Sequence, residues 1–219
     1  MSINNNLKKI KENIPKEVTF VAVSKTKSTE KILEAYNSGQ RNFGENKVQE
    51  LTEKYSILPK DINWHMIGHL QTNKVKFIAP FISLIHSVDS FKLLNEINKR
   101  GFQNNRVINC LIQVHIAKEK TKFGFEINEV QDIIKVSKKL DNINIKGLMG
   151  MATFTDNTDQ INYEFSNINS LYNKIKTKKI NILSIGMSSD YTLAIKNGSN
   201  MIRVGSAIFG KRKKYEKNH

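Results

Sequence analysis

One cysteine is too few for an internal disulfide. Cys110 lies in the apolar run Val107-Ile-Asn-Cys-Leu-Ile-Gln-Val114, where a buried, inert thiol is expected. The three prolines are scattered, and no Gly/Ser-rich or Pro-rich stretch divides the 219 residues. Residues 1–219 therefore read as a single domain with a sizeable core. No window is apolar for long enough to span a bilayer. The opening Met1-Ser-Ile-Asn-Asn-Asn-Leu-Lys-Lys lacks the uninterrupted apolar core of a signal peptide. Together these absences point to the cytoplasm and away from a membrane. Acidic residues are also scarce, 20 against 35 basic ones, which leaves a net charge of +15. Arginine is rare, however, and the lysines are spread over nearly every segment. Asparagine and isoleucine are nearly as abundant as lysine, and AT-rich codons encode all three. No basic stripe with interleaved aromatics is present, and the densest cluster, Lys211-Arg-Lys-Lys214, reads as a solvated end. Net charge alone supports non-specific association, so no specific nucleic-acid partner is expected.

What is present is an alternation of helical and strand periods. Leu7, Ile10 and Ile14 mark an N-terminal helix. Strands are expected at 18–24, 41–43, 63–67, 83–86, 106–116, 143–149, 180–185 and 201–204. Helical segments are expected from Ser28 to Gly39, from Glu45 to Tyr55, after Gln71 and from Ser90 to Arg100. Others carry Ile127, Val130, Ile134 and Val136, then Ile161, Phe165, Ile168, Tyr172 and Ile175. A short helix from Asp190 to Lys196 and a final turn at Ala207 complete the series. Eight strand–helix units imply parallel strands with right-handed crossovers. The expected fold is an α/β (β/α)8 TIM barrel with an extra N-terminal helix. An open doubly wound sheet is the alternative, but no Gly-x-Gly-x-x-Gly follows the first strand.

In such a barrel the chemistry sits at the C-terminal ends of the strands. Lys25 follows the first apolar strand directly, and a lysine there is costly to bury unless it has a task, such as Schiff-base formation with an aldehyde cofactor. Gly186-Met-Ser-Ser-Asp190 follows the seventh strand and Gly205-Ser-Ala207 the eighth. Loops at these places commonly bind phosphate, because small residues let backbone N–H groups approach an anion. Ser188 and Ser206 can add hydroxyl donors, and Arg203 can supply charge or a hydrogen bond to a cofactor ring. A lysine on one side and a phosphate cradle on the other describe a pyridoxal 5′-phosphate pocket.

Over nearly its whole length the sequence also resembles the YggS/PROSC family of pyridoxal phosphate homeostasis proteins, relatives of the alanine racemase N-terminal barrel. The resemblance is carried by Val21-Ala-Val-Ser-Lys-Thr-Lys27, Asn42-Phe-Gly-Glu-Asn46, Val48-Gln-Glu50 and Trp64-His-Met-Ile-Gly-His-Leu-Gln-Thr-Asn-Lys74. It continues through Ile85-His-Ser-Val-Asp89, Lys122-Phe-Gly124, Gly147-Leu-Met149, Gly186-Met-Ser188 with Asp190, Gly198-Ser199 and Ile202-Arg-Val-Gly-Ser-Ala-Ile-Phe-Gly210. It implies that Lys25 holds the cofactor as an internal aldimine. It further implies that Ser188, Gly205 and Ser206 hold the phosphate, that Arg203 lies beside the cofactor and that Asn46 lines the pocket. Ser28, Lys47 and Thr121 depart from residues common in the family, away from this chemistry.

The resemblance implies a role in intracellular homeostasis of the cofactor, with apo forms of pyridoxal phosphate enzymes as recipients, no catalytic residue and a monomeric state. The competing function is an amino-acid racemase. That reaction needs acid/base groups on both faces of the substrate. In alanine racemase a second, β-rich domain of a partner subunit helps to supply one, and this chain, ending just after the eighth strand, is expected to lack it. An arginine against the ring nitrogen would also weaken the electron sink. Of the remaining candidates, His65 and His69 are four apart, but His65 falls in a strand and Gly68 intervenes, so no metal site is expected. His86 and His115 end strands, where core or capping roles are expected. Trp64 reads as core or rim packing. Asn46 taken alone suits a helix start. Lys27 and Lys122 default to solvated lysines, although the resemblance places both on the cofactor side.

Overall fold

The computed structural model describes residues 2–119 and 122–210, so Thr121 and the basic cluster at 211–214 lie outside the described residues. Among the described residues eight parallel strands close a barrel in sequence order. They are β1 (Thr19–Val23), β2 (Asn42–Glu45), β3 (Asn63–Met66), β4 (Leu84–Val88), β5 (Ile108–Val114), β6 (Ile143–Gly150), β7 (Ile182–Met187) and β8 (Met201–Val204). The seam closes where β1 pairs with β8, with Thr19 opposite Met201 and Val21 opposite Arg203. The helices are α1 (Ile3–Asn13), α2 (Thr29–Asn37), α3 (Val48–Ile57), α4 (Val75–Ile78), α5 (Phe91–Gln103), α6 (Val130–Ser137), α7 (Thr158–Ile175), α8 (Tyr191–Lys196) and α9 (Ser206–Phe209). The expected (β/α)8 barrel with its additional first helix is the observed fold.

The elements form for local reasons. Ser2 caps α1 by accepting from the Asn5 N–H, and Ser90 caps α5 by accepting from the Leu93 N–H. Gly39 closes α2 at φ +85°, a conformation costly for a residue with a Cβ. Strand residues alternate between two cores. Phe20, Ala22, Phe43, Trp64, Ile85 and Ile112 face outward into the helix layer, and Val21, Leu84, Leu111, Met149 and Met201 fill the barrel. Burial on both faces is why β1 reads as a continuous apolar run. α1 packs against α2 and α9, and the Asn6 side chain donates to the Ile208 carbonyl at 2.8 Å.

Several boundaries differ from the sequence reading. β2 runs on to Glu45 and α3 starts only at Val48, because the Glu45 side chain is buried in a polar cluster described below. β7 is shifted to 182–187, since Asn200 accepts the Leu183 N–H and sets the register of that strand. β5 stops at Val114, where the chain turns to bond Phe125. Of the apolar residues that mark the helix after β5, Ile127 and Val136 are each more than a third exposed.

Candidate functional site

A cavity of about 560 Å3 opens at the C-terminal ends of the strands. It is floored by strand ends (Val23, Gln113, Met187 and Arg203) and walled by the turns after them. Lys25, Asn46, Ser188, Arg203, Gly205 and Ser206, the six residues singled out from the sequence, all line it. A cavity of similar volume lies at the other end of the strands, between α6 and α7, where lysines rim an apolar floor of Ile134, Leu140 and Ile143. It contains none of the six.

Lys25 occupies the turn after β1 and is half-buried. Next to it Thr26 sits at φ +63°, the left-handed region, which is strained for a β-branched residue. A buried ionic cluster holds this turn. Lys54 on α3 is only 6% exposed. Its Nζ donates to the Ser24 carbonyl at 2.8 Å, to Glu45 Oε1 at 2.8 Å and to Glu50 Oε1 at 2.7 Å. The Thr26 N–H donates to the same Glu50 oxygen at 2.6 Å, and Ser24 Oγ donates to Glu45 Oε1 at 2.5 Å. Burial lifts the Glu45 carboxyl above its ordinary pKa despite the pull of Lys54. The signal in the sequence was Glu45–x8–Lys54, a charge pair spanning a strand end and a helix. It is too common a pattern to single out.

Asn46 is pressed into place by Gly68. A Cβ at position 68 would lie 2.5 Å from the Asn46 carbonyl oxygen, so only glycine allows this approach. Across the cavity Ser188 Oγ accepts the Gly205 N–H at 3.0 Å. That N–H is thereby spent within the loop pair, while the Ser188 hydroxyl keeps its own hydrogen to donate. Asp190 holds the same loop by accepting the Met187 N–H at 2.5 Å. Ser206 is exposed at the start of α9. Lys27 Nζ donates to the carbonyls of Phe209 and Gly210 at 3.3 and 3.2 Å.

Arg203 is 3% exposed and keeps its charge even though burial lowers its pKa to about 10. Nη1 donates to the Ser184 carbonyl and to Ser184 Oγ, both at 2.7 Å, and Nη2 donates to the Gly150 carbonyl at 3.0 Å. These bonds use three of the five guanidinium N–H groups, leaving two for the cavity. At the rim the His69 ring stacks on Phe123 at 3.8 Å, and its Nδ1 meets Asp89 Oδ2 at 2.7 Å. Sequence reasoning tested His69 only as a metal ligand with His65. The structure separates the two, because His65 points into the barrel and bonds His86. His86 is fully buried, and Trp64 packs on Phe43 in the outer core. Lys122 donates to the Ala152 carbonyl at 2.6 Å and pairs with Glu119 at 3.0 Å. Among the described residues no three His, Cys, Asp or Glu side chains gather as metal ligands, and no helix is long and apolar enough to cross a membrane.

A closed parallel barrel with a lysine after its first strand and an arginine on its last defines a class, and the chain belongs to the alanine racemase N-terminal domain family, whose model matches residues 1–213. Within that class it is similar to proteins named pyridoxal phosphate homeostasis protein. The one from Aquifex aeolicus is 38% identical over 199 residues, covering 89% of this chain and 87% of the relative. The one from Escherichia coli K12 is 34% identical, covering 90% and 87%. Among solved structures, PipY of Synechococcus elongatus is 31% identical and covers 95% of this chain. Its TM-scores are 0.91 without PLP and 0.87 with PLP bound. The alanine racemase of Clostridium difficile, 15% identical at a TM-score of 0.79, shares the fold and is spanned by this chain over 58% of its length.

Proposed function

We propose that this chain binds pyridoxal 5′-phosphate in the cavity at the strand ends and serves homeostasis of that cofactor, holding it and yielding it to apo enzymes that require it. The observation that carries the reading is the convergence of Lys25, Arg203 and the Ser188/Gly205/Ser206 loop pair on one cavity. Its volume is in the range of small-molecule sites. The donor set also suits the ligand. There is a primary amine for an aldehyde, a cationic fork for the ring nitrogen, and hydroxyl donors on small-residue loops for a phosphate. When bound, pyridoxal phosphate supplies an aldehyde that condenses reversibly with a primary amine and releases water. Lys25 is the amine assigned to it. Ser188, Gly205 and Ser206 shape the phosphate end, Arg203 faces the ring, and Asn46, fixed by Gly68, lines the wall. The names of the relatives and the PLP-bound PipY structure support the same ligand. We take residues 1–219 to act as one domain, monomeric and cytoplasmic, without catalytic turnover.

A second reading, amino-acid racemisation, has one observation in its favour. His69, braced by Asp89, supplies an imidazole in the cavity besides the amines of Lys25 and Lys27. One set of measurements separates the two. The loaded protein should absorb in the near-visible, and borohydride should bleach that band and fix the cofactor on Lys25. Mixed with an apo pyridoxal phosphate enzyme, it should restore that enzyme's activity faster than spontaneous release into buffer accounts for. Incubated with L-alanine, it should form no D-alanine. Lys25-dependent D-alanine formation would establish the racemase reading instead. Sedimentation of the loaded protein tests the monomer.

A further inference from the structure

Inside the barrel five polar side chains from β2, β3, β4, β7 and β8 touch in series. Arg203 Nη1 donates to Ser184 Oγ at 2.7 Å. Ser184 Oγ lies 3.1 Å from His86 Nδ1, and His86 Nε2 lies 2.9 Å from His65 Nδ1. His65 Nε2 lies 3.3 Å from Asn42 Oδ1. The two ends dictate the middle. A guanidinium can only donate, so Ser184 Oγ accepts from it and gives its own hydrogen to His86 Nδ1. A neutral His86 then carries its hydrogen on Nε2 and donates it to His65 Nδ1. His65 in turn carries its hydrogen on Nε2 and donates it to the amide oxygen of Asn42, which can only accept. Every contact is satisfied by one arrangement, with both rings neutral and all hydrogens pointing from Arg203 toward Asn42. A charged imidazole breaks this order: at His65 it sets two hydrogens in the gap to His86, and at His86 it turns the Ser184 hydrogen out of the chain. Burial keeps both rings neutral, lowering the pKa of His65 to about 4 and that of His86 well below its ordinary value, with His65 and Arg203 adding to the effect at His86. The anion whose charge acts on Arg203, favouring its protonated form, is Asp190, on the loop after β7.

We infer, on the reading of the cavity given above, that Ser184, His86 and His65 are positioning residues for Arg203. Their single proton order spends Nη1 inside the barrel and so fixes which guanidinium N–H groups are presented to the cofactor ring. Aligned in a water-poor interior, such a chain orders its members more firmly than separate bonds would. It also extends the binding site from the cavity floor through the barrel to the start of β2, where Asn42 closes it.

Three measurements test the inference, two of them without ligand. In unliganded protein labelled with 15N-histidine, His65 and His86 should both appear as neutral Nε2–H tautomers from pH 6 to 8. An Nδ1–H tautomer or an imidazolium at either ring overturns the proton order. In the same protein labelled with 15N-arginine, the Arg203 Nη signals should be resolved, as for a guanidinium held still. They should merge in His86→Leu and in the milder Ser184→Ala, while circular dichroism confirms that both variants fold. Resolved signals in folded variants refute the positioning role. Third, with pyridoxal phosphate as the probe, His86→Leu should bind about ten-fold more weakly, the loss of roughly one charged hydrogen bond. The absorbance maximum of its bound cofactor should also move. His86→Gln, whose amide can accept from Ser184 and donate to His65, should recover most of both. Unchanged affinity and spectrum in a folded His86→Leu overturn the inference. A wild-type protein with the stated tautomers and a still guanidinium but no affinity for pyridoxal phosphate would instead remove the cofactor reading and leave the chain's effect on Arg203 in place.

Discussion

The turn that carries Lys25 is held by residues on either side of it. The strained turn at Thr26 is bonded to Glu50, and the Ser24 carbonyl is bonded to Lys54. Replacing Lys25 by Ala should therefore leave the fold intact and abolish the borohydride-fixed adduct, read by mass spectrometry of peptides. A label retained on another lysine would refute the assignment. Because the phosphate end is built from other residues, weak non-covalent binding should survive. Arg203→Gln removes a charged donor from the cavity, an interaction worth about 1.5–3 kcal/mol, or on the order of ten- to a hundred-fold in affinity. Lysine at 203 should rescue little, since a point charge cannot reproduce the fork that grips Ser184 and Gly150 at once. Titration of the cofactor against each folded variant checks both statements.

One scale up, α3 acts as a brace for the end of β1. Lys54→Met would leave the Glu45 carboxyl buried without its cation, a change that typically costs about 3–5 kcal/mol. Pairing it with Glu45→Gln should return much of that loss, and urea unfolding of the single and double variants measures the difference. Thr26→Gly should stabilise the protein slightly, because glycine adopts φ +63° without the Cβ penalty. The barrel itself was legible in the sequence, because strands buried on both faces and helices buried on one leave unmistakable periods. That Lys25 and Arg203 share one cavity was legible, because Lys25 follows an apolar strand and Arg203 lies in another, both at the end where barrels place their chemistry. The brace was not, since Glu45 and Lys54 look like ordinary helix charges until β2 is seen to reach Glu45. The Asn42-to-Arg203 chain was equally hidden. Its members are spread over five strands, and only closure of the barrel brings them together. His86, read as a core or capping residue, is a core residue whose two nitrogens are both engaged.

For the molecule as a whole, the buried histidines tie stability to pH. Their folded pKa values lie below the ordinary 6.5, so between that value and about 4 the unfolded chain binds protons that the folded chain refuses. Stability is then fully present above pH 6.5 and is lost as the pH falls, by about 2 kcal/mol for His65 between pH 7 and 5, with His86 acting in the same direction. Glu45 and Asp190, both raised by burial, act in the opposite sense nearer their own range. Urea midpoints for the unliganded protein should be lower at pH 5 than at pH 7, and equal midpoints would contradict the neutral buried pair. The seam between β1 and β8 has a consequence in time. Lys25 lies on one side of it and Arg203, Gly205 and Ser206 on the other. During synthesis the amine emerges first and the cradle last, and contacts so distant along the chain form late. On the proposed reading, a nascent chain therefore cannot trap the aldehyde productively until the final strand has docked. Once docked, a ligand gripped from both sides acts as a clasp on the last joint to be made. Hydrogen exchange at Val21–Val23 and at Met201–Val204 should slow on loading more than exchange at β4, which lies across the barrel from the clasp.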